Sequence, residues 1–175
     1  IERATLSYGY GLSVTPLQLA HAYTLFANDG LLQPVSFLAG GDTAAEPPRV
    51  LLGDTARQVR DMLEGVVSDG GTGTRAAVPG YRIAGKTGTA IKAGEGGYAE
   101  DRYVALFAGI APASNPRLVM AVVINEPATE EYYGGQVAAP VFSRVVAGAL
   151  RLLNVPPDEL DSLQGRMASA EGFVQ

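Results

Sequence analysis

The stretch from Gly80 to Thr89 reads Gly-Tyr-Arg-Ile-Ala-Gly-Lys-Thr-Gly-Thr and holds one of the chain's two lysines among hydroxyls and glycines. Its first eight residues spell G-x-x-x-x-G-K-[ST], the pattern of a phosphate-cradling loop. Such a loop works only between a strand and a helix, where backbone N–H groups at the helix N-terminus surround the anion. Here Tyr81-Arg82-Ile83-Ala84 is itself strand-like, and Gly88, Gly94, Gly96 and Gly97 follow where the helix would have to start. A nucleotide hydrolase is therefore only a remote alternative. The better chemistry places Lys86-Thr87-Gly88-Thr89 on an edge strand beside a cleft. Lys86 then supplies positive potential for a substrate carboxylate and for proton transfer. Gly88 leaves room for substrate to lie against the strand. The Thr89 N–H points at a carbonyl oxygen as half of an oxyanion hole, a contribution of about 3 kcal/mol to the barrier.

The elements that must position this strand can be read from caps and periodicity. Thr15-Pro16-Leu17-Gln18 combines a capping Thr, a Pro suited to the first helical position and a Gln that completes a capping box. It predicts a helix to about Asn28, stopped at Gly30, and apolar on most of its surface, hence a buried core helix. Gln33 to Leu38 reads as a strand and residues 39–49 as a loop. Asp54 is placed to cap a second helix reaching about Val67. On it Val59, Met62, Leu63 and Val66 form the apolar stripe, with Arg57/Asp61 and Arg60/Glu64 paired on the wet face. Three strand-like runs follow, Tyr81 to Ala90, Tyr103 to Ala111 and Leu118 to Glu126. Their connections are too short for crossover helices, so neighbours should pair antiparallel. A last helix, about Val137 to Leu152, should bury Val141, Val145, Ala149 and Leu152 and end before Pro156-Pro157. The polar tail from Asp158 is expected to be loosely held. The sum is an α+β fold, an antiparallel sheet flanked by helices.

Composition narrows the function classes. The 175 residues are 47% hydrophobic and 18% charged, with a formal net charge of −5, which describes a globular chain. Two lysines stand against eleven arginines and no basic stripe forms, so nucleic acid is not an expected partner. Without cysteine, disulfides, thiolate catalysis and thiolate metal sites are excluded. The longest aliphatic run, Leu118 to Ile124, is too short to span a bilayer. A chain that starts at Ile1 without an initiator Met reads as a piece of something longer. His21 lies with Gln18 and Asn28 on the polar side of its helix and reads as a surface residue. Glu100-Asp101 and Glu130-Glu131 read as solvated loop carboxylates. Gly71-Thr72-Gly73-Thr74-Arg75-Ala76 imitates a dinucleotide fingerprint, but it follows a helix instead of a strand and is rejected.

Lys-Thr-Gly is one of three signatures of penicillin-binding proteins and class A β-lactamases, beside S-x-x-K and S-D-N. An isolated Lys-Thr-Gly would be no more than an exposed strand lysine, but here other blocks accompany it. Ser7-Tyr8-Gly9-Tyr10-Gly11-Leu12-Ser13-Val14-Thr15-Pro16-Leu17-Gln18-Leu19-Ala20, Ala22-Tyr23 and Ala27-Asn28-Asp29-Gly30 precede it. Gly73-Thr74, Phe107-Ala108-Gly109-Ile110-Ala111-Pro112, Asn125-Glu126-Pro127, Tyr132-Tyr133-Gly134-Gly135 and Ala139-Pro140-Val141-Phe142 complete the order. Over residues 1–157 the chain resembles the C-terminal portion of the transpeptidase domain of class B penicillin-binding proteins, of the cell-division type. The family also implies a β-lactamase/transpeptidase-like fold, of which this chain is only the C-terminal part, with 158–175 as a polar tail.

The resemblance implies a periplasmic D,D-transpeptidase, anchored in the inner membrane by an upstream segment. It would cross-link peptidoglycan stem peptides at the division septum through a serine acyl-enzyme, without metal or organic cofactor, and would be a target of β-lactams. Lys86 would hydrogen-bond the serine of the family's second motif, and Thr87 and Thr89 would bind the carboxylate of the stem or drug. Gly88 belongs to the same catalytic strand. Tyr103, Tyr132 and Tyr133 match an aromatic wall against substrate, with Gly134 beside them, although sheet packing explains tyrosines on strands equally well. Two signatures are missing. Lys86 and Lys92 are preceded three places back by Ile83 and Thr89, so there is no S-x-x-K, and there is no S-x-N either. The nucleophile and its base are expected in the N-terminal part of the same domain, which becomes an expected partner together with other division proteins. A penicillin-binding sensor of the same fold, acylated without forming cross-links, is the alternative.

Overall fold

The computed structural model describes residues 12–38, 46–94, 97–128 and 130–159. The expected block at Ser7–Gly11 and the tail beyond residue 159 lie outside these. Helix α1, Pro16–Ala27, starts as the capping box requires, with Thr15 Oγ1 accepting from the Gln18 N–H at 3.2 Å and the Gln18 side chain accepting from the Thr15 N–H at 2.8 Å. It ends through Asn28, and Gly30 turns at φ 87° where a Cβ would lie 2.1 Å from the Leu51 carbonyl oxygen. Helix α2 spans Gly53–Glu64, and Thr74–Ala76 makes one 3₁₀ turn. Strands β1 (Ala84–Gly94), β2 (Gly97–Ala111) and β3 (Leu118–Asn125) form one antiparallel sheet in the order β1-β2-β3. A single turn α3 (Gly134–Val137) leads into α4 (Ala139–Leu152). No helix among the described residues is long and apolar enough to cross a membrane.

The central strand β2 is buried on both faces. Towards α4, Phe107 meets Phe142 with ring centroids 4.9 Å apart, above Val146 and Leu150. Towards α1 and α2, Ile110 packs with Ala84 under Tyr23, Phe26 and Leu63. The α+β architecture with an antiparallel sheet follows the expectation because its cause is local: short glycine- and proline-containing connections leave antiparallel pairing as the available arrangement.

Several finer expectations fail where a tertiary partner outranks local pattern. Gln33–Leu38 is not a strand; among the described residues of this region only Leu31 forms a bridge, to Arg49, while Phe37 is 88% exposed and Pro34 offers no N–H to a ladder. Helix α1 is not buried: no residue of it is fully covered and Leu17 is 49% exposed, because the sheet takes only the Tyr23 side. Asp54 caps nothing. Leu52 occupies the cap, and Asp54 sits in the first turn, paired with Arg57. The pairs expected within α2 are replaced by longer-range ones. Arg57 binds Asp29, and Glu64 takes the Arg82 guanidinium. Arg60, assigned to the wet face, is buried, and donates to the Phe26 carbonyl at 2.7 Å and to Asp29. The cation there satisfies a carbonyl at the electronegative end of α1. The stripe of α2 rotates to match, burying Ala56 and leaving Met62 exposed.

The final helix is interrupted at Ala138. It buries Phe142, Val146 and Leu150, leaving Val145 half-exposed and Leu152 exposed, since Phe142 must reach Phe107. The first two strands reach beyond the runs that end at Ala90 and start at Tyr103: β1 continues to Gly94 and β2 starts at Gly97, with Ala93 opposite Tyr98. Asp158 is not loose: it accepts from the Arg82 N–H at 2.8 Å and from the Ser114 hydroxyl, and the Asp158 and Glu159 N–H groups donate to the Gly80 carbonyl. His21 Nε2 lies 2.7 Å from the Gln33 carbonyl oxygen, a structural tie between α1 and the segment after it.

Candidate functional site

Strand β1 lies at the edge of the sheet, pairing with β2 alone among the described residues, so its outer backbone groups face a cleft. Register sets Thr87 opposite Phe107, Gly88 opposite Leu106 and Thr89 opposite Ala105. Ala105 and Phe107, fully buried on β2, thus back the strand, and rigid backing is what a site of fixed geometry needs.

Lys86 is exposed and donates from Nζ to the Thr87 carbonyl at 3.2 Å and to Thr87 Oγ1 at 3.3 Å. No carboxylate among the described residues pairs with it, so its charge is available to an anion in the cleft. Thr87 Oγ1 lies 3.0 Å from Thr72 Oγ1, and Thr89 Oγ1 accepts from the Gly134 N–H at 3.0 Å. A threonine hydroxyl has one proton and two acceptor sites. With Thr89 Oγ1 accepting from Gly134, its O–H can turn outward as a donor, and so can that of Thr87 when it accepts from both Lys86 and Thr72. Two hydroxyl donors beside an ammonium suit a carboxylate, which only accepts. Both threonines line a cavity of about 420 Å³ shared with Thr72, Arg75, Tyr133 and Gln136. A larger cavity of about 830 Å³ near Tyr81, Ser143 and Glu159 contains the Arg82–Glu64 ion pair and lacks this set of hydroxyls.

The three tyrosines assigned to a wall do come together. Tyr103 and Tyr132 stack with centroids 4.1 Å apart, and Tyr132 and Tyr133 lie 4.5 Å apart with a hydroxyl–hydroxyl distance of 3.2 Å. The hydrogen bond to Tyr133 and the neighbouring phenols push the Tyr132 hydroxyl up to about 12. Tyr132 therefore stays neutral over physiological pH. The structure also gives Gly88 a reason beyond substrate access: a Cβ there would lie 2.7 Å from the Leu106 side chain. Gly134 is tighter, since its Cβ would fall 2.2 Å from the Leu106 carbonyl oxygen and 2.5 Å from that of Gly88.

Sequence reasoning missed Thr72 and Arg75, set aside with the dinucleotide look-alike. The only available signal was two threonines among glycines shortly before the lysine motif. It also read Glu131 as solvated, whereas Glu131 pairs with Arg75.

At the far end of the wall, Glu126 Oε1 accepts from Lys92 and, at 2.7 Å, from Arg102, tying the stem of the β1–β2 hairpin to the end of β3. Lys92, then Arg102, hold its carboxyl down at about 2. A depressed folded value stabilises the fold above the unfolded value near 4.5 and is lost as pH falls towards 2. Glu126→Gln should therefore lower Tm at pH 6 and make little difference near pH 2. Equal losses at both pH values in thermal melts would refute the linkage.

Comparisons with known proteins follow the same outline. The family described as "Penicillin binding protein transpeptidase domain" matches residues 1–147. The chain is 49% identical over 164 residues to the peptidoglycan D,D-transpeptidase FtsI of Escherichia coli K12, covering 91% of this chain and 27% of that protein. It is 47% identical over 157 residues to the probable peptidoglycan D,D-transpeptidase PenA of Neisseria gonorrhoeae, covering 90% of this chain and 27% of that one. Among solved structures, the apo TP domain of Burkholderia pseudomallei penicillin-binding protein 3 superposes with a TM-score of 0.82 at 55% identity, over 90% of this chain and 48% of that one. The chain thus spans about a quarter of the length of these curated relatives.

Proposed function

The chain belongs to the penicillin-binding protein transpeptidase domain family, and from that premise we propose that it is the carboxylate-binding, edge-strand portion of a peptidoglycan D,D-transpeptidase. The observation that carries the reading is the triplet of donors on β1: the Lys86 ammonium with the Thr87 and Thr89 hydroxyls, oriented by Thr72 and Gly134. In this reading the terminal carboxylate of a peptide stem lies against Thr87 and Thr89, and the ring face of Tyr133 borders it. A serine hydroxyl supplied by the upstream portion of the domain attacks the penultimate D-Ala carbonyl. The Ser O–C bond forms, the peptide C–N bond breaks, and the serine proton passes to the departing D-Ala amine. An amine of a second stem then displaces the serine oxygen, which regains a proton. The Thr89 N–H faces the developing oxyanion, and Lys86 hydrogen-bonds the serine of the second motif and steadies the negative charge.

β-Lactams carry the same carboxylate and would acylate the same serine. The enzyme would act on the periplasmic face of the inner membrane, at the septum, with other division proteins as partners. The test is covalent labelling with a fluorescent penicillin. A polypeptide that joins this segment to the upstream portion seen in the relatives should label, and the 175-residue chain without it should not. No labelling of the joined polypeptide would remove the proposal.

A further inference from the structure

We infer that Arg75 is a positioning residue that staples the Glu131–Gln136 segment over the Lys86–Thr89 strand, and so sets the Thr89 hydroxyl and the Tyr132–Tyr133 wall for substrate; the catalytic part of this inference rests on the transpeptidase reading. Arg75 projects from the 3₁₀ turn whose next residue, Ala76, is fully buried in the core beside α4. Its base is therefore fixed. Its guanidinium donates to both Glu131 oxygens, at 3.1 and 3.3 Å, and to the Gln136 carbonyl at 3.2 Å. These contacts bracket Tyr132, Tyr133, Gly134 and Gly135, so a single side chain grips the segment at both ends.

What lies between the grips needs this control. The Gly134 N–H must meet Thr89 Oγ1, and Gly135 crosses so close to the Thr72 carbonyl that a Cβ would lie 2.0 Å from its oxygen. Only one helical turn, α3, gives the segment structure of its own. The Arg75 and Glu131 side chains are 50% and 48% exposed, and an exposed ion pair adds little to global stability. Its consequence is local geometry. A planar guanidinium can hold a carboxylate with two prongs and a carbonyl with a third donor, a combination that a lysine ammonium does not reproduce.

The test compares Arg75→Ala and Arg75→Lys in the joined polypeptide. Amide hydrogen exchange at Gly134 should accelerate about tenfold in Arg75→Ala, whether or not the protein labels. Penicillin acylation should fall about tenfold or more, in line with the penalty for misplacing a contact near the reacting groups. Tm should move by less than about 3 °C. Arg75→Lys should recover only a part of either loss. Raising salt from about 0.05 to about 0.5 M should slow wild-type acylation more than that of Arg75→Ala. Unchanged Gly134 exchange overturns the staple. Acylation within twofold of wild type overturns its role in positioning, as does a loss that follows a matching fall in Tm. If the unsubstituted polypeptide fails to label, the transpeptidase reading has failed, and the exchange experiment still decides the staple.

Discussion

Lys86→Ala in the joined polypeptide is expected to lower the second-order rate of fluorescent-penicillin acylation by about 10²–10⁴, the range typical of a positioned proton-transfer group. Two roles are lost together. The ammonium is the cation nearest the Thr87 hydroxyl, from which its Nζ stands 3.3 Å away, so a carboxylate in the cleft loses its counter-charge. The hydrogen bond expected to the serine of the second motif disappears too. Because Lys86 is exposed and makes no ion pair among the described residues, the fold should barely register the change. Tm should stay close to wild type, as for surface substitutions generally. Lys86→Arg should restore charge without the compact donor, improving capture only in part. Acylation by Lys86→Ala at the wild-type rate would sink the functional reading of the strand, while the assignment of the family would stand.

Phe107→Ala is expected to cost about 3–5 kcal/mol, the usual range for truncating a buried aromatic. Phe107 is fully buried, and the space for its ring is made by three glycines: a Cβ at Gly73, Gly85 or Gly109 would lie 2.9, 2.5 or 2.9 Å from it. Glycine walls have no side chains to relax into the hole, and Phe142 on the far side is held by α4. The cavity should therefore persist, which puts the loss in the upper part of that range. The effect should also reach the site, because Phe107 stands opposite Thr87 in the ladder. Urea unfolding of the joined polypeptide measures it. A loss below about 1.5 kcal/mol would mean that the core collapses around the vacancy, contrary to the glycine argument.

Legibility from sequence tracked the range of the forces involved. The capping box at Thr15 and Gln18 was readable because donor and acceptor lie three residues apart. The antiparallel sheet was readable because glycines and prolines limit the connections. Lys86, Thr87 and Thr89 were legible as a set because neighbours on one strand stay neighbours in space. The faces of α2 and α4 were not. Their rotation depends on what they meet, and Arg60 is buried because the carbonyl of Phe26, 34 residues away, needs a donor. The three tyrosines were grouped only through resemblance; their spacing in sequence contains nothing that predicts a 4.1 Å stack.

The residue types along the chain were enough to decide the class of fold and the strand that carries the lysine with its flanking hydroxyls. Those choices rest on charge, hydroxyl chemistry and backbone rules that act within a few residues. Only the folded arrangement decided which groups meet the hydroxyls and which partners Arg75 takes. Thr72 reaches Thr87 across 15 residues, Gly134 reaches Thr89 across 45, and Arg75 reaches Glu131 across 56. Hydrogen bonds of such separation form once the core around Phe107 has brought their elements together, so no local pattern announces them.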